Sequence, residues 1–315
     1  MIMIRKFAFA FLAMTVAVPL AIGQTPNDRN RQKVRPVTVP ISIFTKQELA
    51  TSKPEEFVQA DRLVVKEDKD EQTILSIRSV TDSPLQIEIL IDDELTGNIN
   101  LQIAEIKQFI KSLPKGTKVF VAYIRGGNLD VRQKFTDDLE KAAKSLRIVT
   151  SNSSSNGPYG GVADATGRFD GLPAGRRAIL LVSDGLDASQ GVSGFAAIHT
   201  VELDRSISKA QRKGIAVYSI YSTSAATATG NSQAVMSGQA SLSQLSDETG
   251  GRAFIQGSSA PVSFDPYFRS LTLLLNRQFV LTYLSTHMKK GYHTVAITST
   301  NPAVKIEHPK GYFYR

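Results

Sequence analysis

Residues 89–98 read ILIDDELTGN, an apolar strand-like run that leads directly into three consecutive carboxylates at 92–94. Carboxylates at the carboxyl end of a strand in an α/β fold usually face the crevice in which ligands bind. Acidic residues also favour the positive end of a helix dipole, which would suit a helix that begins near Asn98 with Thr96 or Asn98 as its cap. The stretch therefore indicates either a binding site or a helix start, and both interpretations stay open at this point.

The segments that follow this stretch alternate between strand-like and helix-like patterns. Apolar strand-like runs lie at 86–91, 118–124, 129–135, 178–184 and 215–221. Apolar residues from Ile99 to Leu113 recur at helical spacing, and the short glycine turn between the second and third runs predicts an antiparallel hairpin. Strands that alternate with helices predict a mainly parallel sheet covered on both faces.

The later part of this region contains a stretch rich in small residues. Residues 222–239 are dominated by Ser, Ala, Thr and Gly, a composition typical of a surface loop. A helix is predicted over 241–249, where two glycines end it, and another over 262–276. We therefore expect a loop, and no helix, at 222–239.

Both ends of the chain show a different pattern from the middle. Alternating strand-like runs lie at 37–44, 62–68, 73–80, 278–285, 292–299 and 304–308. Neither group alone is large enough to bury a face, so segments 37–84 and 278–315 are predicted to pair into one β-sandwich-like domain. The α/β unit at 85–277 would then be inserted between the two halves of that domain.

The first residues predict export. Arg5 and Lys6 precede the apolar stretch Phe7–Ile22, and small residues stand just before a cleavage point ahead of Gln24. This pattern is typical of a secretory signal peptide at 1–23, with retention as an uncleaved anchor as the alternative. The following residues, 24–36, are predicted to be a flexible leader. We expect a secreted, periplasmic or cell-envelope protein without a membrane span after cleavage.

The composition excludes several functions. The absence of cysteine excludes thiol catalysis, zinc-thiolate sites and a disulfide framework. The net charge of +8 comes from lysines and arginines scattered among acids, so no nucleic-acid partner is expected. The sequence contains no Gly-x-Ser-x-Gly elbow, and the four histidines lie in different segments, which favours surface or sheet positions over metal ligation. These histidines are His199, His287, His293 and His308.

The order of these features resembles a known family. An apolar strand ending in Asp92, a hairpin, a strand ending in Asp184-Gly185, the strand VYSIY and the segment LSDETGGRAF at 245–254 occur in the order seen in a von Willebrand factor type A domain. The flanks resemble those of exported bacterial proteins related to this type. The resemblance implies a doubly wound, Rossmann-like sheet of six strands in the order 3-2-1-4-5-6, with the third strand antiparallel. Asp92 and Asp184 would then lie side by side at neighbouring strand ends.

The resemblance also implies a metal-ion-dependent adhesion site. In the family, an Asp-x-Ser-x-Ser loop, a threonine from a second loop and an aspartate from a third loop hold Mg²⁺, which leaves one position for a carboxylate of the partner. Asp92 and Asp184 match the two aspartates, whereas Glu94 and Thr96 stand where the serines are expected. The motif is therefore degenerate.

The second loop departs further from the family pattern. Gly160 stands where the threonine is expected, and Ser155 and Tyr159 are the candidate second-loop contributors. Asp93 and Asp187 are predicted on the ligand-face loops, and Asp187 also fits a simple turn. This loop is thus the weakest part of the predicted site.

The oxygen ligands predict a hard cation. Asp92, Glu94, Thr96 and Asp184, with waters, could hold Mg²⁺, or Ca²⁺ or Mn²⁺ in a looser shell. Three negative charges bind a cation more strongly than two, and they also repel a carboxylate of the partner.

Three functions are consistent with this sequence. The leading hypothesis is an exported, non-enzymatic protein-binding or adhesion-type module without catalytic residues, whose partner is another protein. The second is a structural or scaffold protein of the cell envelope with a vestigial metal site. The third is a secreted hydrolase that uses Asp92, Glu94 and Asp184 as acid, base or metal ligands.

Overall fold

The computed structural model of the chain describes residues 33–51, 63–79, 84–150, 157–173, 175–187, 200–228 and 231–314. The predicted signal peptide at 1–23 lies outside the described residues, as do most of the predicted leader, Ser155 and His199. Among the described residues, no helix is both long enough and apolar enough to cross a bilayer.

The described residues form strands and helices in the following order. The first group is β1 (Arg35–Thr45), α1 (Lys46–Thr51), β2 (Leu63–Glu67), β3 (Asp70–Arg78), β4 (Leu85–Asp92), α2 (Ile103–Ser112), β5 (Lys118–Arg125), β6 (Asn128–Thr136), α3 (Leu139–Lys144), α4 (Tyr159–Ala165) and β7 (Arg176–Ser183). The second group is α5 (Val201–Arg212), β8 (Ile215–Tyr221), α6 (Ala225–Ala228), α7 (Ser232–Thr249), β9 (Ala253–Phe254), α8 (Asp265–Asn276), β10 (Gln278–Ser285), β11 (Gly291–Ser299), β12 (Val304–Glu307) and β13 (Gly311–Tyr314).

The central sheet confirms the predicted fold class. Its order is β6-β5-β4-β7-β8-β9, in which all neighbours are parallel except β5 and β6. Gly126 and Gly127, both with positive φ, form the tight turn of the antiparallel hairpin, as the sequence predicts. Numbered within the sheet, this is the order 3-2-1-4-5-6. Neighbouring strands β4 and β7 therefore end side by side.

Helices cover both faces of the central sheet. All residues of β4 are buried, and successive side chains alternate between two apolar cores. One core contains Ile89 and the apolar faces of α2, α3 and α8, whereas the other contains Leu90 and those of α4, α5 and α7. This burial on both faces explains the apolar run Ile89–Ile91, and it also leaves Gln86 and Glu88 buried.

The two ends of the chain combine into an antiparallel sheet, as predicted. Its order is β12-β1-β10-β3-β2-β11-β13, so strands from both ends of the chain alternate within one hydrogen-bonded ladder. In a flat sheet, five spacings of about 4.8 Å would place β11 and β12 about 24 Å apart. The connection at 300–303 spans at most roughly 17 Å, so the sheet must curl. The flanks therefore form a single curled sheet around its own core, instead of the two separate layers of a β-sandwich.

Strand β1 connects the flanking sheet to the central core. Ile41 and Ile43 point into the core of the flanking sheet, whereas Phe44 packs in the core of the central sheet. Strand β1 lies between β12 and β10 and is not an edge strand, although it contains Pro40, a residue typical of edges. Pairing with β12 covers only residues 42–45, so proline 40 replaces no hydrogen-bond donor on that side. Residues 34–315 form one compact unit, and the predicted domain bounds stay a prediction.

The predicted loop at 222–239 is wrong. Most of this stretch is helical, in α6 and in the first half of α7, which begins nine residues before the predicted helix start. A Cβ atom added to Gly238 would lie 2.0 Å from the carbonyl oxygen of Asp184. Small residues are required here because α7 packs directly against the loop after β7. Their composition reflects close packing and not an open loop.

Candidate functional site

Two buried aspartates lie at the ends of neighbouring strands. Asp92 ends β4 and Asp184 follows β7, and their side chains are almost fully buried. The Asp92 carboxylate accepts hydrogen bonds from the Ser183 hydroxyl at 2.8 Å and from the Glu94 backbone N–H at 3.1 Å. Asp184 accepts a hydrogen bond from the Leu186 N–H at 2.9 Å. The predicted adjacency of the two acids follows from the parallel pairing of β4 with β7.

The charges of these acids oppose one another. Burial raises the pKa of Asp92 well above its usual range, and the neighbouring charges of Asp184 and Glu94 raise it further. Burial raises the pKa of Asp184 to about 6, although hydrogen bonds from Ser224 and Leu186 partly offset the effect. No lysine or arginine within the described ranges forms an ion pair with either aspartate. The strand-end acids are thus an uncompensated concentration of negative charge.

Glu94 and Thr96 complete the first loop. Both side chains are half-buried. The Thr96 backbone N–H donates to the carbonyl oxygen of Thr223 at 2.8 Å, and the two threonine hydroxyls are 3.4 Å apart. Thr96 precedes a 3₁₀ turn at Gly97–Leu101 but makes no side-chain capping bond. A helical turn thus begins near Asn98, as one interpretation of the sequence expects, but the Thr96 side chain does not cap it. The Thr96 hydroxyl instead lies near that of Thr223, in the loop that follows β8.

Asp93 has a different role from the one predicted. Its buried carboxylate is held by Arg125, with Nη2 at 2.6 Å, and by Arg147, with Nη1 at 2.8 Å and Nη2 at 2.9 Å. Burial pulls the pKa of Asp93 upward, but hydrogen bonds from Arg147 and Arg125 outweigh that effect and hold the pKa below its usual value. The two arginines engage both carboxylate oxygens, so Asp93 stabilises this loop, and its predicted place on the ligand face stays a prediction.

Arg147 ties this ion-pair cluster to the sheet. Its guanidinium lies 4.0 Å from the centre of the Tyr123 ring, and its Nη2 also contacts Asp130 at 3.2 Å. The Tyr123 hydroxyl donates to the carbonyl oxygen of Arg147 and accepts from the N–H of the same residue. We call Asp93, Arg125 and Arg147 the buried ion cluster. It fixes the loop after α3 to the ends of β4 and β5.

The second loop shows why the expected threonine is missing. A Cβ atom added to Gly160 would lie 2.9 Å from the carbonyl oxygen of Gly127 in the β5–β6 turn. Any side chain at this position would therefore require a backbone shift. Tyr159 is buried and donates a 2.7 Å hydrogen bond to the carbonyl oxygen of Gly185. This bond gives Tyr159 a structural role that joins α4 to the loop after β7, and it does not direct the hydroxyl to a metal.

Asp187 lies in the third loop, three residues after Asp184. Its side chain is 7% exposed, so it is not an exposed turn acid. Burial raises the pKa of Tyr159 well above its usual value, and the charges of Asp184 and Asp187 contribute to this increase. The third loop thus carries two acids close to one buried tyrosine.

The donor chemistry of this site fits a cation in part. The carboxylates of Asp92, Glu94 and Asp184 are hard oxygen donors whose charges a divalent ion would offset. In contrast, the second-loop position is closed by the contact of Gly160 with the hairpin turn. No group of three acidic, histidine or cysteine side chains converges into a metal shell in the part of the chain that the structure describes. The ligand roles assigned from the sequence stay a prediction.

Sequence reasoning missed three hydroxyl residues at this face. Ser183 bonds to Asp92, Ser224 bonds to Asp184, and Thr223 bonds to Thr96. All three stand at or just after the carboxyl ends of β7 and β8. Their position at the ends of apolar strands was a usable signal, because side chains at the carboxyl ends of parallel strands share one edge of the sheet.

Two histidines lie close together in the flanking sheet. The rings of His287 and His293 are 5.8 Å apart, and His293 Nδ1 lies 2.7 Å from the carboxylate of Asp68. The expected sheet position is found for His293, whereas its proximity to His287 was not predicted. His287 follows β10 and His293 lies in β11, so the short connection between these strands brings the two rings together.

Comparison with known proteins shows similarity at the level of fold. No family model matches the sequence, and no curated protein matches it. The structure of an aerotolerance-related membrane protein from Bacteroides fragilis is 12% identical, with a TM-score of 0.42 over 61% of this chain and 98% of that chain. The von Willebrand factor domain of the type V pili tip protein Mfa5 from Porphyromonas gingivalis is 13% identical, with a TM-score of 0.43 over 61% and 96%. The manganese-loaded TRAP protein of Plasmodium vivax is 11% identical, with a TM-score of 0.39 over 78% and 97%.

The strand order of the central sheet defines the class of fold. Six strands in the order β6-β5-β4-β7-β8-β9, with β6 antiparallel at one edge, match the arrangement that the sequence resemblance implies. The chain therefore has a von Willebrand type A fold, accompanied by an additional antiparallel sheet.

Proposed function

We propose that the chain is an exported, non-enzymatic protein-binding module. The binding face would be the carboxyl end of β4 and β7, where the first and third loops meet. The observation that carries this proposal is the pair Asp92 and Asp184, buried side by side without a basic partner among the described residues. Buried, mutually repelling carboxylates are costly to folding, so their presence is better explained by binding than by stability.

A divalent cation would complete this face. Asp92, Asp184 and Glu94 would hold it with carboxylate oxygens, and the Thr96 hydroxyl would need to turn from Thr223 to contribute. When bound, the ion would offer a coordination position to an oxygen of the partner. Glu94 adds a negative charge where the family has a serine. The partner group is therefore expected to be a neutral oxygen donor and not a second carboxylate.

A metal-free scaffold is the second candidate function. The closed contact between Gly160 and Gly127 favours it, because the second-loop ligand cannot be supplied without moving the hairpin turn. Hydrogen bonds from Ser183 and Leu186 also satisfy part of the acid pair without a metal. In this case the face would bind its partner directly, or binding would use the flanking sheet.

Calorimetric titration of Mg²⁺, Ca²⁺ and Mn²⁺ into metal-free protein that begins at Gln24 tests the first candidate. We expect saturable binding in the unchanged protein and in the exposed-acid control Asp170→Asn. Binding should be lost in the double variant Asp92→Asn, Asp184→Asn, which keeps side-chain size and some hydrogen bonds. Saturable binding that survives in the double variant would place the cation elsewhere, and no binding in any protein would leave only the metal-free candidate.

A binding assay with the partner protein tests the proposed binding face at the carboxyl ends of β4 and β7. Once a partner is found, its binding should fall in Asp184→Asn and in Glu94→Gln but not in Asp170→Asn. Chelator should weaken it only if the ion takes part. Binding that is unchanged in both face variants would contradict the proposal, whatever the effect of chelator.

A further inference from the structure

A cationic cavity lies at the opposite end of the central sheet. It encloses about 240 Å³ between the amino end of β7, the turn after α5 and the outer face of strands β1, β3 and β10. Thr38 of β1 and Thr282 of β10 line one wall, and their hydroxyls are 3.0 Å apart. The cavity therefore lies where the flanking sheet meets the α/β unit.

The lining of this cavity carries positive charge only. Arg78, Arg176, Arg177 and Lys213 line it, and no carboxylate is among its lining residues. The Lys213 ammonium pairs with the exposed Asp170 at 2.7 Å, which leaves the three arginines as the main source of charge. Burial lowers the pKa of Arg176 to about 10, which shows that its surroundings do not favour the charged form. An anion in the cavity would compensate this charge.

Gln278 supplies a second, independent observation. Its side chain is fully buried and lines the cavity. Neither the amide oxygen nor the amide nitrogen has a hydrogen-bond partner among the described residues. An unpaired buried amide destabilises the fold, so such groups are normally bonded to a ligand or to water. The amide offers two further N–H donors within a cavity that is already rich in donors.

Backbone carbonyl oxygens fix the orientation of the Arg177 guanidinium, which keeps an N–H group that can donate to a ligand. Its Nη2 donates to the carbonyl oxygens of Phe169 at 3.3 Å and Leu172 at 3.4 Å. Its Nε is buried and has no partner among the described residues. The backbone carbonyls thus orient the guanidinium without neutralising its charge.

We propose that this cavity is a binding site for a small tetrahedral oxyanion, of the class of phosphate or sulfate. The guanidinium groups of Arg78 and Arg177 would supply charge-assisted hydrogen bonds, and the Gln278 amide would donate a further bond. Arg176, whose Nη1 donates to the carbonyl oxygen of Leu275 at 2.6 Å, adds positive charge nearby. Several positive charges around one cavity attract a dianion more strongly than a singly charged carboxylate. This site is distinct from the strand-end acids and does not depend on the proposed function.

Calorimetric titration of sodium phosphate into the full chain, at ionic strength balanced with sodium chloride, tests the proposal. Sodium sulfate and sodium acetate are titrated in parallel. We expect saturable binding of phosphate and sulfate with one ion per chain, and weaker binding of acetate. A phosphomonoester such as glycerol phosphate tests whether the site also accepts a phosphate group on a larger molecule, and binding of either form supports the proposal.

Two variants and one control locate the bound ion. Arg78→Gln removes an exposed charge on β3 and should weaken phosphate binding by about tenfold, the loss expected for one charge-assisted hydrogen bond. Gln278→Leu keeps the side-chain size and should also weaken binding, while the melting temperature without phosphate should not fall. Arg205→Gln removes an exposed charge on α5 and should leave binding unchanged.

Three results would overturn the proposal. The first is phosphate binding no stronger than that of acetate. The second is unchanged phosphate affinity in both Arg78→Gln and Gln278→Leu. The third is equal weakening in Arg205→Gln, which would show that phosphate responds only to the overall positive charge of the chain.

Discussion

The two ends of the central sheet carry opposite charges. At the carboxyl end, Asp92 and Asp184 lie side by side and form no ion pair with a lysine or arginine among the described residues, whereas at the amino end Arg176 and Arg177 line a cavity that has no carboxylate among its lining residues. Parallel pairing of β4 with β7 brings the two acids together, because equivalent ends of parallel strands share one edge of the sheet. The cavity at the other end instead needs strands of the flanking sheet, since Arg78 and Gln278 come from β3 and β10. Like charges are therefore grouped by strand pairing at one end and by contact between two sheets at the other.

In the buried ion cluster, the negative charge of an acidic side chain is balanced by neighbouring arginines. Asp93 follows Asp92 directly, yet it is enclosed by Arg125 and Arg147. Successive side chains at a strand end point to opposite sides, so adjacent acids meet different surroundings. The pKa of Asp93 is lowered while that of Asp92 is raised. The fold thus favours the charged form of Asp93 and disfavours the charged form of Asp92.

The largest predicted effect concerns the compensated acid. Asp93→Ala should lower the free energy of unfolding by about 3 kcal/mol, because it leaves Arg125 and Arg147 without their shared carboxylate. Chemical denaturation measures this change. Asp130→Ala removes a more exposed partner of Arg147 and should cost less than about 1 kcal/mol. Equal losses in the two variants would contradict the distinction between a buried and an exposed ion pair.

The second prediction concerns the uncompensated acids. The pKa of Asp184 is raised from 3.8 to about 6, so the folded state binds this proton more tightly than the unfolded state. The stability that the protonated form contributes is present at low pH and is lost as the pH rises from about 4 through about 6. Asp184→Asn should remove this loss and be more stable near neutral pH by roughly 3 kcal/mol.

Denaturation curves measured across this pH range check the second prediction. The pH dependence of the unfolding free energy should be flatter in Asp184→Asn than in the unchanged protein. In Asp170→Asn it should stay close to that of the unchanged protein. If Asp184→Asn is less stable than the unchanged protein at neutral pH, contacts in the folded state must stabilise the ionised Asp184 carboxylate. That result would contradict the prediction.

The smallest predicted effect tests the closed second loop. Gly160→Ala places a Cβ atom about 2.9 Å from the Gly127 carbonyl oxygen, so it should cost about 1–3 kcal/mol of stability. The exposed Gly167, where an added Cβ meets nothing within 4 Å, provides the matched control Gly167→Ala. Equal melting temperatures of the two variants would show that the hairpin turn can move and that a second-loop ligand is compatible with this fold.

Much of the fold could be predicted because it is encoded in local patterns. The apolar runs of β4, β5, β7 and β8 reflect strands buried on both faces, and the glycine pair of the hairpin reflects its positive φ values. The helix α7 was misread because small residues are typical of loops, and only contact with the loop after β7 explains Gly238. Composition does not distinguish a helix packed closely on backbone from an irregular segment.

The candidate site was predicted only in outline. Asp92 and Asp184 could be placed at one edge because each ends a strand-like run. The role of Asp93 could not be predicted, since its arginines lie 32 and 54 residues away in the chain. The cationic cavity at the opposite end was missed for the same reason, because its lining comes from β1, β3, β7, β10 and the turn after α5.

The sequence by itself determined the alternation of strands and helices and the position of acids after two strands, because periodicity and strand ends are local properties. Tertiary structure alone decided which charges meet. It placed Asp93 between two arginines, left Asp92 and Asp184 beside each other, and closed the second loop through the contact of Gly160 with Gly127. Compensation of charge and exclusion of a side chain depend on distances between remote segments, and those distances exist only in the folded chain.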